Sequence, residues 1–199
     1  MFQLLTEPFA YEYMLRAMTV GSLVGGVCGF LSAYIILKGW SLIGDALSHS
    51  VVPGVALAYM LGLPFAIGAF FAGGLAATTI LFLHEKTKLK QDTIIGLIFT
   101  SFFGFGLFLI SLSPVPIDVQ TIFLGNVLSI SPADTIQMLI ICAVTIGCLI
   151  FLWKDFLVLF FDELHAQSLG QNTRVMKILF FTLLSAATVA ALQTVGAFL

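Results

Sequence analysis

An aspartate and a histidine four residues apart, Asp45 and His49, open a long apolar stretch of the chain. On a helix, residues at this spacing share one face, with Cβ atoms about 5–6 Å apart. A carboxylate and an imidazole that converge can share one divalent metal ion. An aspartate near the middle of a membrane helix costs about 2.5–3.5 kcal/mol on insertion scales, so it usually faces a partner, a cavity or an ion path. The pair therefore predicts a metal-ion pathway.

Other interpretations of this pair stay open. The two side chains could serve only as hydrogen-bonding contacts between helices, or both could lie in the cytoplasmic membrane interface. An intramembrane metal enzyme is a further alternative, but a catalytic zinc usually needs three protein ligands, an activated water and a general base. Only His49 is expected deep in the membrane, since His84 and His165 fall at or beyond the predicted cytoplasmic edge.

The composition is that of a membrane protein. Of the 199 residues, 60% are hydrophobic and 9% are charged, and the mean hydropathy is +1.12. Uncharged runs of about 20 residues, long enough to span a bilayer, recur along the chain. They lack the alternating pattern of barrel strands, so the predicted fold class is all-α, a polytopic helical membrane protein. The net charge of −2 gives no support to a nucleic-acid partner.

The apolar runs predict about six transmembrane helices, at 17–37, 42–61, 65–83, 93–112, 134–153 and 175–199. Gly62-Leu63-Pro64 separates the second from the third, and Pro53 is expected to kink the second. Residues 119–131 are too short to span comfortably and are interpreted as a re-entrant or surface helix. The chain, 1–199, is taken as one transmembrane domain. Its last helix reaches Leu199 without a polar stop, so we expect a C-terminally truncated product or a fragment.

Lysine and arginine predict the orientation in the membrane. Counting alternate helix ends, seven lie on one side and only Arg16 on the other; the seven are Lys38, Lys86, Lys88, Lys90, Lys154, Arg174 and Lys177. The richer side is predicted to be cytoplasmic, which puts the N-terminus and the turn at Gly62 outside.

Two kinds of small residue within the helices, glycine and cysteine, lead to further predictions. Gly21, Gly25 and Gly29 recur every four residues on the first helix and should let another helix approach closely. Packing within the chain is favoured over a dimer face. The three cysteines all sit inside apolar runs, so neither a disulfide nor a thiolate metal site is expected.

The longest polar stretch, 154–174, falls on the predicted cytoplasmic side. Within it, residues 162–170 predict a short amphipathic helix, although an ordinary solvated loop is the alternative. Asp162 and Glu163 would lie in the first turn, where negative charge suits the helix dipole. Gly170 would end the helix, because glycine easily adopts the left-handed conformation.

Several motifs make the sequence similar to ABC-3 permeases, the membrane subunits of ATP-driven manganese, zinc and iron importers. The most specific is Ser41-Leu-Ile-Gly-Asp-Ala-Leu-Ser-His-Ser50 with Pro53-Gly54. The others are Leu124-Gly-Asn-Val-Leu-Ser129, Phe161-Asp-Glu-Leu-His-Ala-Gln-Ser-Leu-Gly170 and Leu192-Gln-Thr-Val-Gly-Ala197. The resemblance covers essentially the whole chain in order, but family members are longer, with further helices after the last motif.

The resemblance implies a permease of the bacterial cytoplasmic (inner) membrane that moves Mn²⁺, Fe²⁺ or Zn²⁺ into the cell. Asp45 and His49 match the family's metal-coordinating pair, while Glu163, Ala166 and Gly170 match the coupling loop that sits in a groove of the ATPase. It also implies a second copy or a homologous permease subunit, two cytoplasmic ATPase subunits and an extracellular or periplasmic metal-binding protein. The ion is cargo, and no permanently bound cofactor is expected.

The sequence also indicates whether this chain hydrolyses ATP. It has no phosphate-binding G-x-x-x-x-G-K-[ST] motif, so the chain is expected to be a transport subunit and ATP hydrolysis to occur on a separate partner. The helix at 162–170 would insert Leu164, Ala166 and Leu169 into that partner, and the lysine-rich loop at 84–92 is the alternative dock. An ABC permease for a siderophore or vitamin would share the architecture without requiring Asp45 and His49 to meet.

Overall fold

The computed structural model describes residues 11–112 and 132–195, and within these ranges the chain is helical apart from short turns. The helices are α1 (Glu12–Leu37), α2 (Ile43–Ser50), α3 (Val52–Leu61), α4 (Phe65–Lys86), α5 (Gln91–Leu112), α6 (Pro132–Phe151), α7 (Trp153–Phe161), α8 (Glu163–Ser168) and α9 (Thr173–Val195). The segment 119–131, predicted as a re-entrant or surface helix, lies outside the described ranges, as does the motif at 124–129.

Five of these helices, α1, α4, α5, α6 and α9, are long and apolar enough to cross a membrane. The predicted all-α, multi-pass architecture is therefore confirmed. The predicted second span, 42–61, differs in being two helices, α2 and α3, that meet at Val51. The physical reason is Pro53 in the first turn of α3, which has no N–H to continue the α2 ladder. What the sequence predicted as a kink is a break.

Helix α9 lies at the centre of the bundle. It packs against α1, α2, α4, α6 and the short helices α7 and α8. Half of its most apolar stretch is buried inside the chain, against 22–33% for the other four spans. Helix α9 is therefore in direct contact with α2, the helix that carries Asp45 and His49.

An aromatic cluster fastens the short helix α7 to α1 and α9. Phe160 of α7 lies 4.5 Å, centroid to centroid, from Phe180 of α9, and Tyr34 of α1 lies 6.0 Å from the same ring. Trp40, just after α1, lies 5.2 Å from Phe181, with the two rings tilted by 32°. Aromatic pairs of this kind add about 0.5–1.5 kcal/mol beyond the area they bury. The segment that leads into α8 is thus fixed to the membrane helices.

Glycines bring α3 against α4 at backbone contact. A Cβ on Gly54 would lie 2.1 Å from the carbonyl oxygen of Gly68, and one on Gly68 would lie 2.2 Å from that of Gly54. By contrast, a Cβ on any of the three regularly spaced glycines of α1 would meet nothing within 4 Å; they are Gly21, Gly25 and Gly29. None of the described residues packs closely on that stripe, so the close helix approach predicted for it is not made within residues 11–112 and 132–195.

Ion pairs join the helix ends that the lysine and arginine count assigned to one side. Lys38 after α1 and Lys177 in α9 both lie near Glu163. Arg174 at the start of α9 lies 3.7 Å from Glu85 at the end of α4. The described part of the predicted cytoplasmic surface is therefore one contiguous end of the bundle.

Candidate functional site

The candidate site is the Asp45–His49 pair on α2. The buried face of this helix is formed by Ile43, Ala46, Leu47 and Ser50, whose spacing of three and four residues follows the helical repeat. Asp45 and His49 fall on the other face, and Nε2 of His49 lies 3.6 Å from Oδ1 of Asp45. The structure thus brings the two predicted ligands together, with a nitrogen and a carboxylate oxygen available to one ion.

The two candidate ligands lie in very different surroundings. The side chain of Asp45 is 72% exposed on the flank of this chain, whereas that of His49 is 17% exposed. His49 contacts the rings of Phe99 and Phe103 on α5, at centroid distances of 5.2 and 5.4 Å. The pair is therefore open on the Asp45 side and enclosed on the imidazole side.

One chain brings two candidate ligands together here. Within residues 11–112 and 132–195, no group of three or more His, Cys, Asp or Glu side chains is arranged to hold a metal. His84 instead packs edge to face on Trp40, 6.3 Å away, and His165 lies in α8. The described residues therefore do not provide the three-ligand site that the metal-enzyme alternative usually needs.

The predicted short helix in the polar stretch is present as α8. Asp162 is its N-cap: Oδ1 accepts hydrogen bonds from the backbone N–H groups of Leu164 (2.9 Å) and His165 (3.2 Å). This satisfies two of the N–H groups that have no partner at the start of a helix. The first turn of α8 begins at Glu163. Asp162 was predicted to lie in that turn, but it precedes the turn by one residue and caps it.

Gly170 closes α8 as predicted. Its φ of +80° is in the left-handed region that favours glycine. Its N–H donates to the carbonyl of Gln167 and the N–H of Gln171 donates to the carbonyl of Ala166, which is the Schellman pattern. A β-branched residue at this position would be strained.

The side chains of α8 are arranged differently from the expectation. Ala166 has no exposed surface and belongs to the chain's own core, so the prediction that it inserts into a partner is wrong. Leu164 and Leu169 are exposed at 77% and 59%. Because α8 lies against α7 and α9, one side of this short helix must face inward, and position 166 is on that side.

Glu163, although partly exposed, links α8 to the membrane helices. One carboxylate oxygen accepts from Nζ of Lys177 on α9, and the other lies 3.9 Å from Nζ of Lys38. The side chain of Lys177 is only 13% exposed. This ion-pair network, like the two phenylalanines around His49, was not foreseen, because neither is encoded by a local motif.

Comparisons with known proteins place the chain in context. Residues 10–199 match the family described as the ABC 3 transport family. The chain is 57% identical over 199 residues to the chelated iron transport system membrane protein YfeC of Yersinia pestis, of which it spans 68%. It is 49% identical over 192 residues, 96% of this chain, to the manganese transport system membrane protein MntB of Synechocystis, of which it spans 63%. The solved structure of PsaBC from Streptococcus pneumoniae in complex with Fab matches 94% of this chain and 68% of that chain, with a TM-score of 0.81 and 36% identity.

Proposed function

The chain belongs to the ABC 3 transport family, and from that premise we propose that it is the permease subunit of an importer that carries Mn²⁺, Fe²⁺ or Zn²⁺ into the cytoplasm across the bacterial cytoplasmic membrane. The observation that carries the proposal is the 3.6 Å approach of His49 Nε2 to Asp45 Oδ1 within a membrane bundle. The names of the two relatives, one for chelated iron and one for manganese, agree with this substrate class.

The chemistry of the pair suits a divalent ion in transit. The carboxylate of Asp45 supplies negative charge that offsets the loss of water around the ion, and the imidazole of His49 supplies a neutral nitrogen. Oxygen and nitrogen ligands serve manganese, iron and zinc alike, and no thiolate is needed to bind them. A site with few protein ligands holds the ion weakly, and a transported ion has to leave as well as enter.

The exposure of Asp45 supports a partner at this face. A carboxylate that is 72% exposed within the membrane would cost about 2.5–3.5 kcal/mol if lipid surrounded it. A second copy, or a homologous permease subunit, would cover it and contribute its own carboxylate and imidazole. Two such pairs would provide four ligands around a shared axis, with water completing the coordination.

Energy would come from a separate ATPase that docks on α8. This helix exposes Leu164, and Leu169 is exposed at its C-terminal cap, at the end of the bundle where the lysines and arginines gather. That end is cytoplasmic in the proposed orientation, with the N-terminus outside. A metal-binding protein would deliver the ion at the opposite end, where α3 turns into α4.

The test is Mn²⁺ uptake by cells that depend on this transporter. His49→Ala and Asp45→Asn are each expected to abolish uptake while the protein still inserts and assembles. Asp45→Asn preserves shape and hydrogen bonding and removes only the charge. Asp92→Asn, an exposed carboxylate in the first turn of α5, is the matched control and should transport normally. Wild-type uptake by Asp45→Asn would refute the site, and uptake only of a chelated metal would favour the siderophore-type permease.

A further inference from the structure

The imidazole of His49 sits between helices in a setting unusual for a metal ligand. Phe99 and Phe103 lie one turn apart on α5, and their rings are nearly parallel, 9° apart, with centroids 6.0 Å from each other. The imidazole is close to perpendicular to both, at 72° and 79°. Two rings therefore restrict rotation of the same imidazole.

The second ring nitrogen of His49 has no polar partner among the residues that the structure describes. Nδ1 is buried and makes no hydrogen bond within the described residues. Metal-binding histidines almost always donate their other N–H to a carboxylate, a carbonyl or a water, which fixes the ring and strengthens the ligand. Here Nε2 faces Asp45 although no such hydrogen bond from the described part of the chain holds the ring in place.

We propose that Phe99 and Phe103 are positioning residues that aim His49 Nε2 at the transported ion. They replace the usual hydrogen-bonding partner with aromatic packing. This inference rests on the proposed function and extends it to the residues that set the site's affinity. The rings supply orientation without polarising the imidazole, so the metal is bound in a defined geometry but weakly.

Phe99 and Phe103 form a clamp around His49, and this clamp has a functional consequence. Changes to the hydrogen-bonding partners of metal ligands typically alter metal affinity by about 10–100-fold. A polar partner at Nδ1 would hold the ion more tightly and slow its release. An aliphatic side chain would let the imidazole turn away from Asp45. With the aromatic pair, the affinity for the metal lies between these two cases. An intermediate affinity suits a site that the ion must leave in every cycle.

The test measures the half-saturating Mn²⁺ concentration and the maximal rate of uptake by the whole transporter in proteoliposomes. Phe99→Leu and Phe103→Leu are expected to raise the half-saturating concentration about tenfold with a smaller effect on the maximal rate. Phe105→Leu is the matched control, since that ring is on the same helix and 53% exposed. Phe99→Tyr keeps a ring and should restore the wild-type value.

One further variant, Phe103→Gln, is expected to lower the half-saturating concentration instead of raising it. Phe103→Gln offers an oxygen that can accept from Nδ1–H, so both the half-saturating concentration and the maximal rate should fall. The clamp is overturned if the two leucine variants match Phe105→Leu in half-saturating concentration, or if Phe99→Tyr is as impaired as Phe99→Leu. Failure of the proposed function would look different, because His49→Ala would then transport Mn²⁺ normally.

Discussion

Glu163 in the first turn of α8 accepts a hydrogen bond from Lys177, fourteen residues later on α9. Its other carboxylate oxygen lies 3.9 Å from Lys38 at the end of α1. One side chain therefore connects the short helix proposed to meet the ATPase with two membrane helices. Since α9 packs directly on α2, a displacement of α8 has a short route to Asp45 and His49.

Removing the charge of this link should destabilise the permease. Glu163→Gln leaves Lys177, whose side chain is 13% exposed, without its anion. A hydrogen bond to a charged group contributes about 1.5–3 kcal/mol, so we expect a loss of roughly that size, reduced by the exposure of Glu163 itself. The measurement is thermal unfolding of the purified protein.

The matched control is Glu12→Gln, which breaks the ion pair with Arg16 at the start of α1. That carboxylate is 88% exposed, and exposed pairs one helical turn apart contribute little. Its melting temperature should stay close to that of the wild type. Equal melting temperatures for both variants would show that Glu163 is not a structural link.

Most of the helices, and the proximity of Asp45 to His49, could be predicted from the sequence because both depend on local pattern. Long uncharged runs identify spans, and a four-residue spacing places two side chains on one face whatever the tertiary fold. The burial of Ala166 and the clamp around His49 could not be read in this way. They depend on how α8 lies on α9 and how α5 lies on α2, and with twenty phenylalanines in the chain nothing local distinguishes Phe99 and Phe103.

A substitution that forces α3 away from α4 should destabilise the folded protein. Gly54→Ala places a methyl group 2.1 Å from the carbonyl oxygen of Gly68, and backbone cannot yield as a flexible side chain would. Overpacking typically costs about 1–3 kcal/mol, and the rigid contact should put this variant at the upper end. Folded protein recovered from membranes is the measurement. Gly21→Ala, which meets nothing within 4 Å, is the control and should be recovered normally; equal recovery of the two would contradict the close packing.

The orientation can be tested with single cysteines in a background where the three native cysteines are replaced. Leu63→Cys, in the turn between α3 and α4, should react with an impermeant reagent in intact cells. Lys88→Cys, between α4 and α5, should react only after permeabilisation. Both native side chains are exposed, so access depends on the side of the membrane. The reason for the expected pattern is the seven-to-one distribution of lysine and arginine. Labelling of Lys88→Cys in intact cells would show that the orientation is the opposite of the predicted one.

The final prediction concerns the surface proposed to receive the ATPase. Leu164 is 77% exposed on α8, while Ala166 on the same helix is fully buried. Leu164→Arg should therefore reduce copurification of the ATPase and stop transport without unfolding the permease or weakening metal binding at Asp45 and His49. Ala166→Arg should instead destabilise the permease itself, because a charged side chain cannot be accommodated without a buried partner.

The lysine-rich loop between α4 and α5 is the competing dock. Reversing the charge of Lys86, Lys88 and Lys90 together changes the same end of the bundle but leaves α8 intact. If that variant releases the ATPase while Leu164→Arg retains both copurification and transport, the coupling role belongs to the loop. The opposite result, with loss of the ATPase from Leu164→Arg alone, would assign it to α8, whose Glu163 provides the connection to α1 and α9.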